Sequence, residues 1–209
     1  MGNRGCLHDE QGRIRRPFQL QRWIICVLAF KGRQRTVMTP GQYTELFFLD
    51  EATALAAGHR PCAECSRGRF TLLRELWAMA NPELAGGPRP AAPVIDAALH
   101  RERCSPQGAK QTYTAALAEL PAGVFVIHPS TGTAHLWWQG QLWPWQPAGY
   151  DAPLYPPLYP VAALTVQVLT PPSIVRTLTA GYPVSTLMQT PTRAYSSSPS
   201  SSYSYSKPE

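Results

Sequence analysis

Apolar runs in this chain are short and are interrupted at close intervals by proline and glycine. Trp23-Ile-Ile-Cys-Val-Leu-Ala-Phe30 is continuous and β-branched near its start, which predicts a buried strand. Lys31-Gly32 supplies a turn, with Arg33 to Met38 as the expected hairpin partner. After the turn signal Thr39-Pro-Gly-Gln, Tyr43–Leu49 reads as another strand. Asp50 is a suitable N-cap for an alanine-rich helix over Glu51–Ala57, which Gly58 stops and Pro61 keeps from resuming. Phe70, Leu73, Trp77 and Ala80 recur at helical spacing and predict a second helix over Ser66–Ala80, its stripe facing a core.

Beyond it, Asn81–Pro93 has the composition of a linker. Val94–Cys104 is expected to form a third helix with Pro93 at its start, and Lys110–Leu120 a fourth. The pattern then changes period. Val124–His128, Thr133–Gln139, Gln141–Trp145 and Val161–Thr170 read as strands, with Gly140 at a hairpin and Pro144 marking an edge position. Ser173–Ala180 is expected to be a short helix ending at Gly181. Residues 1–22 are polar and basic and read as an arm. From about Thr190 the chain is rich in Ser, Tyr and Pro, as expected of a disordered tail.

Together these elements predict an α+β fold. A small sheet with helices carries a Cys-x-x-Cys knuckle and packs on a Pro-rich β lobe. The expected divisions are residues 1–85 for the knuckle lobe, 91–188 for a helix and the β-rich lobe, and 189–209 for the tail. A hydrophobic content of 44% over 209 residues suits a packed core, and 22 prolines argue against long helices. Residues 1–110 carry 16 Lys/Arg against 10 Asp/Glu, and the remainder carries 3 against 3. The whole net charge of +6 therefore lies in the cysteine-bearing half, and nucleic acid is the partner such a half suggests. Neither a leader sequence nor a membrane span is read in the chain, so the expected location is the cytoplasm. There, five cysteines favour metal or free thiols over disulfides.

Pro61-Cys62-Ala63-Glu64-Cys65 is the strongest chemical signal. A turn that opens a helix points two sulfurs to one side, and its amides can donate to the thiolates. Zinc is the expected cofactor, with Cys62 and Cys65 as ligands. Over Phe47–Cys65, the aromatic strand end, the alanine-rich helix and Ala57-Gly-His-Arg-Pro-Cys-Ala-Glu-Cys65 resemble the metal-binding domain of Ada, the bacterial methylated-DNA repair and response protein; in looser form the likeness covers about residues 24–66. That resemblance implies a four-thiolate zinc site completed by an upstream pair in the loop after the first strand. One upstream thiolate there accepts a methyl group from a DNA phosphotriester. The corresponding loop here, around residues 31–36, has no cysteine, and Cys26 is read inside the preceding strand, poorly placed to substitute. The methyl-acceptor role is therefore not carried over.

Other ligands are sought elsewhere. His100 and Cys104 lie four apart on the expected third helix and share a face, and Cys6 with His8 could be delivered by the N-terminal arm. His59, His128 and His135 read as packing residues. A zinc enzyme of hydrolase or deaminase type is the alternative, since His8-Asp9-Glu10 and Pro61–Cys65 contain the letters of the zinc nucleobase deaminases. The order of elements argues against it, because Gln11-Gly12 follows the histidine where a helix should open. A purely structural knuckle is the third reading. Trp137, Trp138, Trp143 and Trp145 are expected to fill the junction with the helical lobe.

Overall fold

The structure is a computed structural model that describes residues 1–34, 36–153 and 164–187. It has the mixed α+β architecture. Among the described residues, strands β1 (Gly2–Asn3), β2 (Ile24–Ile25) and β3 (Arg60–Pro61) form a small sheet in that order. Strands β4 (Tyr113–Ala116), β5 (Val124–Ile127), β6 (Ala134–Trp138), β7 (Gln141–Gln146), β8 (Gly149–Tyr150) and β9 (Thr165–Val168) form an antiparallel sheet in the order β4-β9-β5-β6-β7-β8. The helices are α1 (Glu51–Ala56), α2 (Arg67–Ala80), α3 (Pro82–Ala85), α4 (Ala92–Arg103) and α5 (Pro172–Thr179). No described helix is long and apolar enough to cross a membrane.

One core joins the helices to the large sheet. Leu55 of α1, Phe70, Leu73 and Trp77 of α2, and Ile95 and Leu99 of α4 are buried with Val124, Val126, Leu136, Val166, Val168 and Ile174. This core spans both sides of the 81–93 segment read as a linker, which itself holds α3. Trp138, Trp143 and Trp145 pack partly buried against the core, as expected of junction aromatics, and Trp137 is buried with its indole N–H donating to the Leu120 carbonyl (2.9 Å).

The start of α1 ties down the far end of the described chain. Asp50 Oδ1 accepts from the Thr53 amide (2.8 Å), the expected N-cap, while its Oδ2 accepts from the Tyr150 hydroxyl (2.7 Å) and the Leu187 amide (3.2 Å). Glu51 accepts from the Tyr182 hydroxyl (2.7 Å) and the Ser185 amide (3.0 Å), and pairs with Arg69 of α2. Two adjacent carboxylates thus fasten β8, α2 and the 182–187 segment to one helix terminus.

Several expectations are corrected. The run Trp23–Phe30 is a strand only at Ile24–Ile25, because its neighbours β1 and β3 are two residues long and, among the described residues, pairing goes no further than the backbone bonds between Cys26 and Met1; Leu28 is 77% exposed. Residues 36–38 and 33–34 form no strand, and Tyr43–Leu49 contributes only a bridge between Leu46 and Gly2. Lys110–Leu120 is not a helix. Tyr113–Ala116 pairs with β9 in the register Tyr113↔Val168, since a free strand edge there satisfies the backbone better than an isolated turn of helix, and a 3-10 turn follows at Leu117–Glu119. The N-terminal arm is packed: Leu7 and His8 are buried, and Thr44 Oγ1 accepts the Leu7 amide (2.8 Å). Pro144 lies inside β7 and pairs with His135; its carbonyl accepts from the Asp151 amide (2.9 Å), so the missing N–H falls on that outer side and costs no bond to β6. Residues 161–163 of the last expected strand and the whole tail from 189 lie outside the described residues.

The element that positions the Cys-x-x-Cys turn is a buried ion pair. Arg60 of β3 donates through Nε and NH2 to the two carboxylate oxygens of Asp96 on α4, both at 2.8 Å, with side chains 2% and 8% exposed. Its NH1 reaches the Pro61 carbonyl (3.1 Å), and the guanidinium lies 4.9 Å from the Phe70 ring centroid. Asp96→Ala is expected to destabilise the fold by about 3–5 kcal/mol, because it strands a buried guanidinium. Urea unfolding of the variant beside a double variant that replaces both partners by apolar residues would check this, the double variant recovering most of the loss.

Candidate metal centre

Sheet register creates the site. Strands β2 and β3 are parallel with Ile24 opposite Arg60 and Ile25 opposite Pro61, so the residues that follow, Cys26 and Cys62, emerge side by side. The Arg60 amide donates to the Trp23 carbonyl (3.1 Å) and the Cys62 amide to the Ile25 carbonyl (2.9 Å), fixing that register by backbone bonds alone. The turn after Cys62 then brings Cys65 back at the start of α2. Cys26, Cys62 and Cys65 place their sulfurs within 4.8 Å of one another, a spacing that one soft cation can bridge. This corrects the reading of Cys26. The strand ends at Ile25, so Cys26 opens the following loop and faces the knuckle.

Electrostatics divide the three thiols. Burial pushes Cys26 up to about 12, with the neighbouring Cys62 and Cys65 thiols adding to the rise. Burial acts in the same sense on Cys62 but is outweighed there by the amides of Cys65 and Glu64 and by the Cys65 and Cys26 thiols, so Cys62 is held below the usual range for cysteine. The Glu64 amide lies 3.4 Å from the Cys62 sulfur. Amides that stabilise negative sulfur also suit a metal thiolate.

The sulfurs border a cleft of about 310 Å³ whose walls include Phe30, Val37, Tyr43, Glu45 and Phe47. On its lining Arg33 pairs with Glu64, one of the two residues between the knuckle cysteines (2.8 Å), and lies 5.3 Å from the Phe30 ring centroid. The Met1 amino group donates to the Cys26 carbonyl (3.0 Å). The loop that reads as apolar strand in sequence is thus a wall of this cleft.

Behind the knuckle, an aromatic and cationic stack holds β2 and the Gly58-His59 turn. The Trp23 ring carries Arg103 at 3.9 Å and Arg4 at 4.4 Å, and Arg103 NH1 donates to the Gly58 carbonyl (2.7 Å). Gly58 has φ +83°, and a Cβ there would stand 2.4 Å from Arg103 Cδ, so glycine is required both by conformation and by space. His59 is fully buried between Trp23 and Phe48, and neither ring nitrogen has a hydrogen-bond partner among the described residues. Burial, then the charges of Arg4 and Arg103, hold its imidazole well below the usual range, hence neutral.

Three other ligands sought in the sequence stand outside the thiol group, each with a different occupation. His8 bonds Thr44 Oγ1 through Nδ1 (2.6 Å) and the Thr39 carbonyl through Nε2 (3.3 Å). His100 meets the Phe18 ring edge-on with centroids 5.0 Å apart. Cys104 is buried at the end of α4, its carbonyl accepting from Gln111. Cys26 is the member of the thiol group that sequence reasoning discounted. Its signal was its place in a register that only β2–β3 pairing reveals.

Compared with family models, with curated proteins and with solved structures, the chain returns no match. Cys26→Ser is expected to lower metal affinity by at least about tenfold, as loss of one of three thiolates should. His100→Ala, Cys104→Ser and His8→Ala should leave it within about a factor of two, near the limit of a competitive chelator titration, which is the measurement.

Proposed function

We propose that Cys26, Cys62 and Cys65 hold one zinc ion whose fourth coordination position opens into the adjoining cleft. The observation that carries this reading is the mutual approach of the three sulfurs within 4.8 Å. Three protein ligands with a fourth position left for another group is the arrangement of a working zinc site, whereas structural sites close with four. Amide donors at Cys62 favour a thiolate over an oxygen-ligand set, and thiolates select zinc over magnesium or calcium. Bound there, zinc supplies Lewis acidity and holds the thiolates deprotonated; the chain supplies the register, the amides and the walls. Protein purified without added metal should contain one zinc per chain, read by elemental analysis. Zinc absent, together with no uptake from solution, would remove the proposal.

The position of Cys26 favours a second reading, built on the resemblance to the Ada metal-binding domain. In that family an upstream thiolate, in the loop after the first strand, takes a methyl group from a DNA phosphotriester, and Cys26 begins that loop here. We propose Cys26 as the corresponding nucleophile: its sulfur would bond the methyl carbon, the carbon–oxygen bond would break, and a phosphodiester would leave. Nucleic acid would be held by the basic half, where Arg16, Arg22 and Arg67 are exposed, although Arg60 and Arg103 are buried and contribute little to the surface. Incubation of the zinc-loaded protein with DNA bearing methyl phosphotriesters should add one methyl group to Cys26, read by peptide mass spectrometry. An unmodified Cys26 would leave the metal site standing and remove the transfer reaction.

A further inference from the structure

All three members of the thiol group line one cleft. Cys62 is buried, and Cys26 and Cys65 are partly buried. Their backbones are held independently of the sulfurs. The Cys26 amide donates to the Met1 carbonyl (2.7 Å), and the Cys26 carbonyl accepts from the Met1 amino group (3.0 Å), which lies on the same cleft. On the other side the Cys62 amide holds the Ile25 carbonyl, and the Ser66 amide donates to the Cys62 carbonyl (3.1 Å), closing the turn that returns Cys65. Thiols gathered in this way lose little freedom when a single atom ties them together. Among the described residues no fourth Cys, His, Asp or Glu joins them within 4.8 Å. Positions 35, 154–163 and 188–209 add no Cys, His or Asp to the chain. The group is a set of three sulfurs.

We propose that the three thiols capture trivalent arsenic, entering as neutral arsenous acid and held as one arsenic bonded to Cys26, Cys62 and Cys65. The sulfurs are those of the metal reading above, and zinc need not be bound to them. Trivalent arsenic is soft, makes three bonds to sulfur and carries a lone pair in the remaining direction, so three thiols satisfy it where zinc still needs a fourth ligand. In the reaction each S–H bond and each bond from arsenic to hydroxyl breaks, sulfur bonds arsenic, and the proton leaves with the hydroxyl as water. Three waters are released, arsenic stays trivalent, and no oxidant or reductant takes part. The product is uncharged. Placing it against the apolar walls Phe30, Val37 and Phe47 therefore removes no ion from water, unlike three thiolates around a monovalent or divalent cation.

The test adds sodium arsenite to the reduced, metal-free full chain and reads binding by native mass spectrometry. One arsenic per chain with the loss of three hydrogens is expected, and the same gain in a Cys6→Ser, Cys104→Ser chain, which retains only the three thiols of the cleft. Cys26→Ser should lower arsenite affinity by at least about a hundredfold, because it removes one intramolecular bond of the three. An arsenic that keeps one hydroxyl and costs two hydrogens would show capture by two sulfurs and overturn the proposal. Undiminished affinity in Cys26→Ser, or no arsenic taken up by the wild type, would also overturn it. Should Cys26→Ser not fold, the mass of the Cys6→Ser, Cys104→Ser chain decides alone. Zinc uptake without arsenite binding would leave the zinc reading in place and remove this one; arsenite held by three sulfurs in a chain that takes up no zinc would do the reverse.

Discussion

The bidentate pair between Arg60 and Asp96 is the constraint on which the arrangement of this molecule turns. Both partners are withdrawn from water, so neither can leave the other without exposing the fold to an uncompensated charge. The pair welds β3 to α4, and β3 runs directly into the Cys-x-x-Cys turn. Arg60 also sits over Phe70 of α2, so the helix that follows the turn is fixed by the same side chain. Geometry at the sulfurs is therefore set by a charge pair deeper in the protein. The thiols do not have to organise themselves, because the elements that carry them are already fixed.

A second anchor works at the opposite end of α1. Asp50 and Glu51 each accept from groups far along the chain, so the short helix before the knuckle is capped on its own account and clamped by the last described segment. The stack of Arg4, Trp23 and Arg103 closes the remaining side, with Gly58 leaving room for Arg103. Burial draws Arg103 down to about 10 and Arg60 is sealed by Asp96, so two of the positive charges in this half serve the interior. A count of basic residues overstates the cationic surface for that reason.

Much of the knuckle was legible in sequence because its signals are local. An aspartate N-cap, an alanine-rich turn, a glycine with positive φ and a proline act through neighbouring backbone, and each stands where it was read. The Phe70, Leu73 and Trp77 stripe and the strands from Val124 to Gln146 were legible from period alone. The helix expected at Lys110–Leu120 was not, since an available sheet edge along β9 outweighed weak helical propensity. The strand expected through Cys26 failed for the converse reason: beyond Cys26 the apolar run meets no strand among the described residues, and it became a cleft wall instead.

Sequence by itself determined the capped helix, the Cys62–Cys65 turn and the alternation that builds the large sheet, because these depend on residues within a few positions of one another. Tertiary structure alone decided that Cys26 joins them. A parallel pairing between Ile24–Ile25 and Arg60–Pro61 joins segments about 36 positions apart, and no local pattern encodes a register between strands of two residues. It also decided that His8, His100 and Cys104 turn to other partners, and that Glu45, nearly buried, lines the cleft the thiols border. Which side chains share a space is fixed by long-range packing, and the chemistry of this cleft follows from that packing.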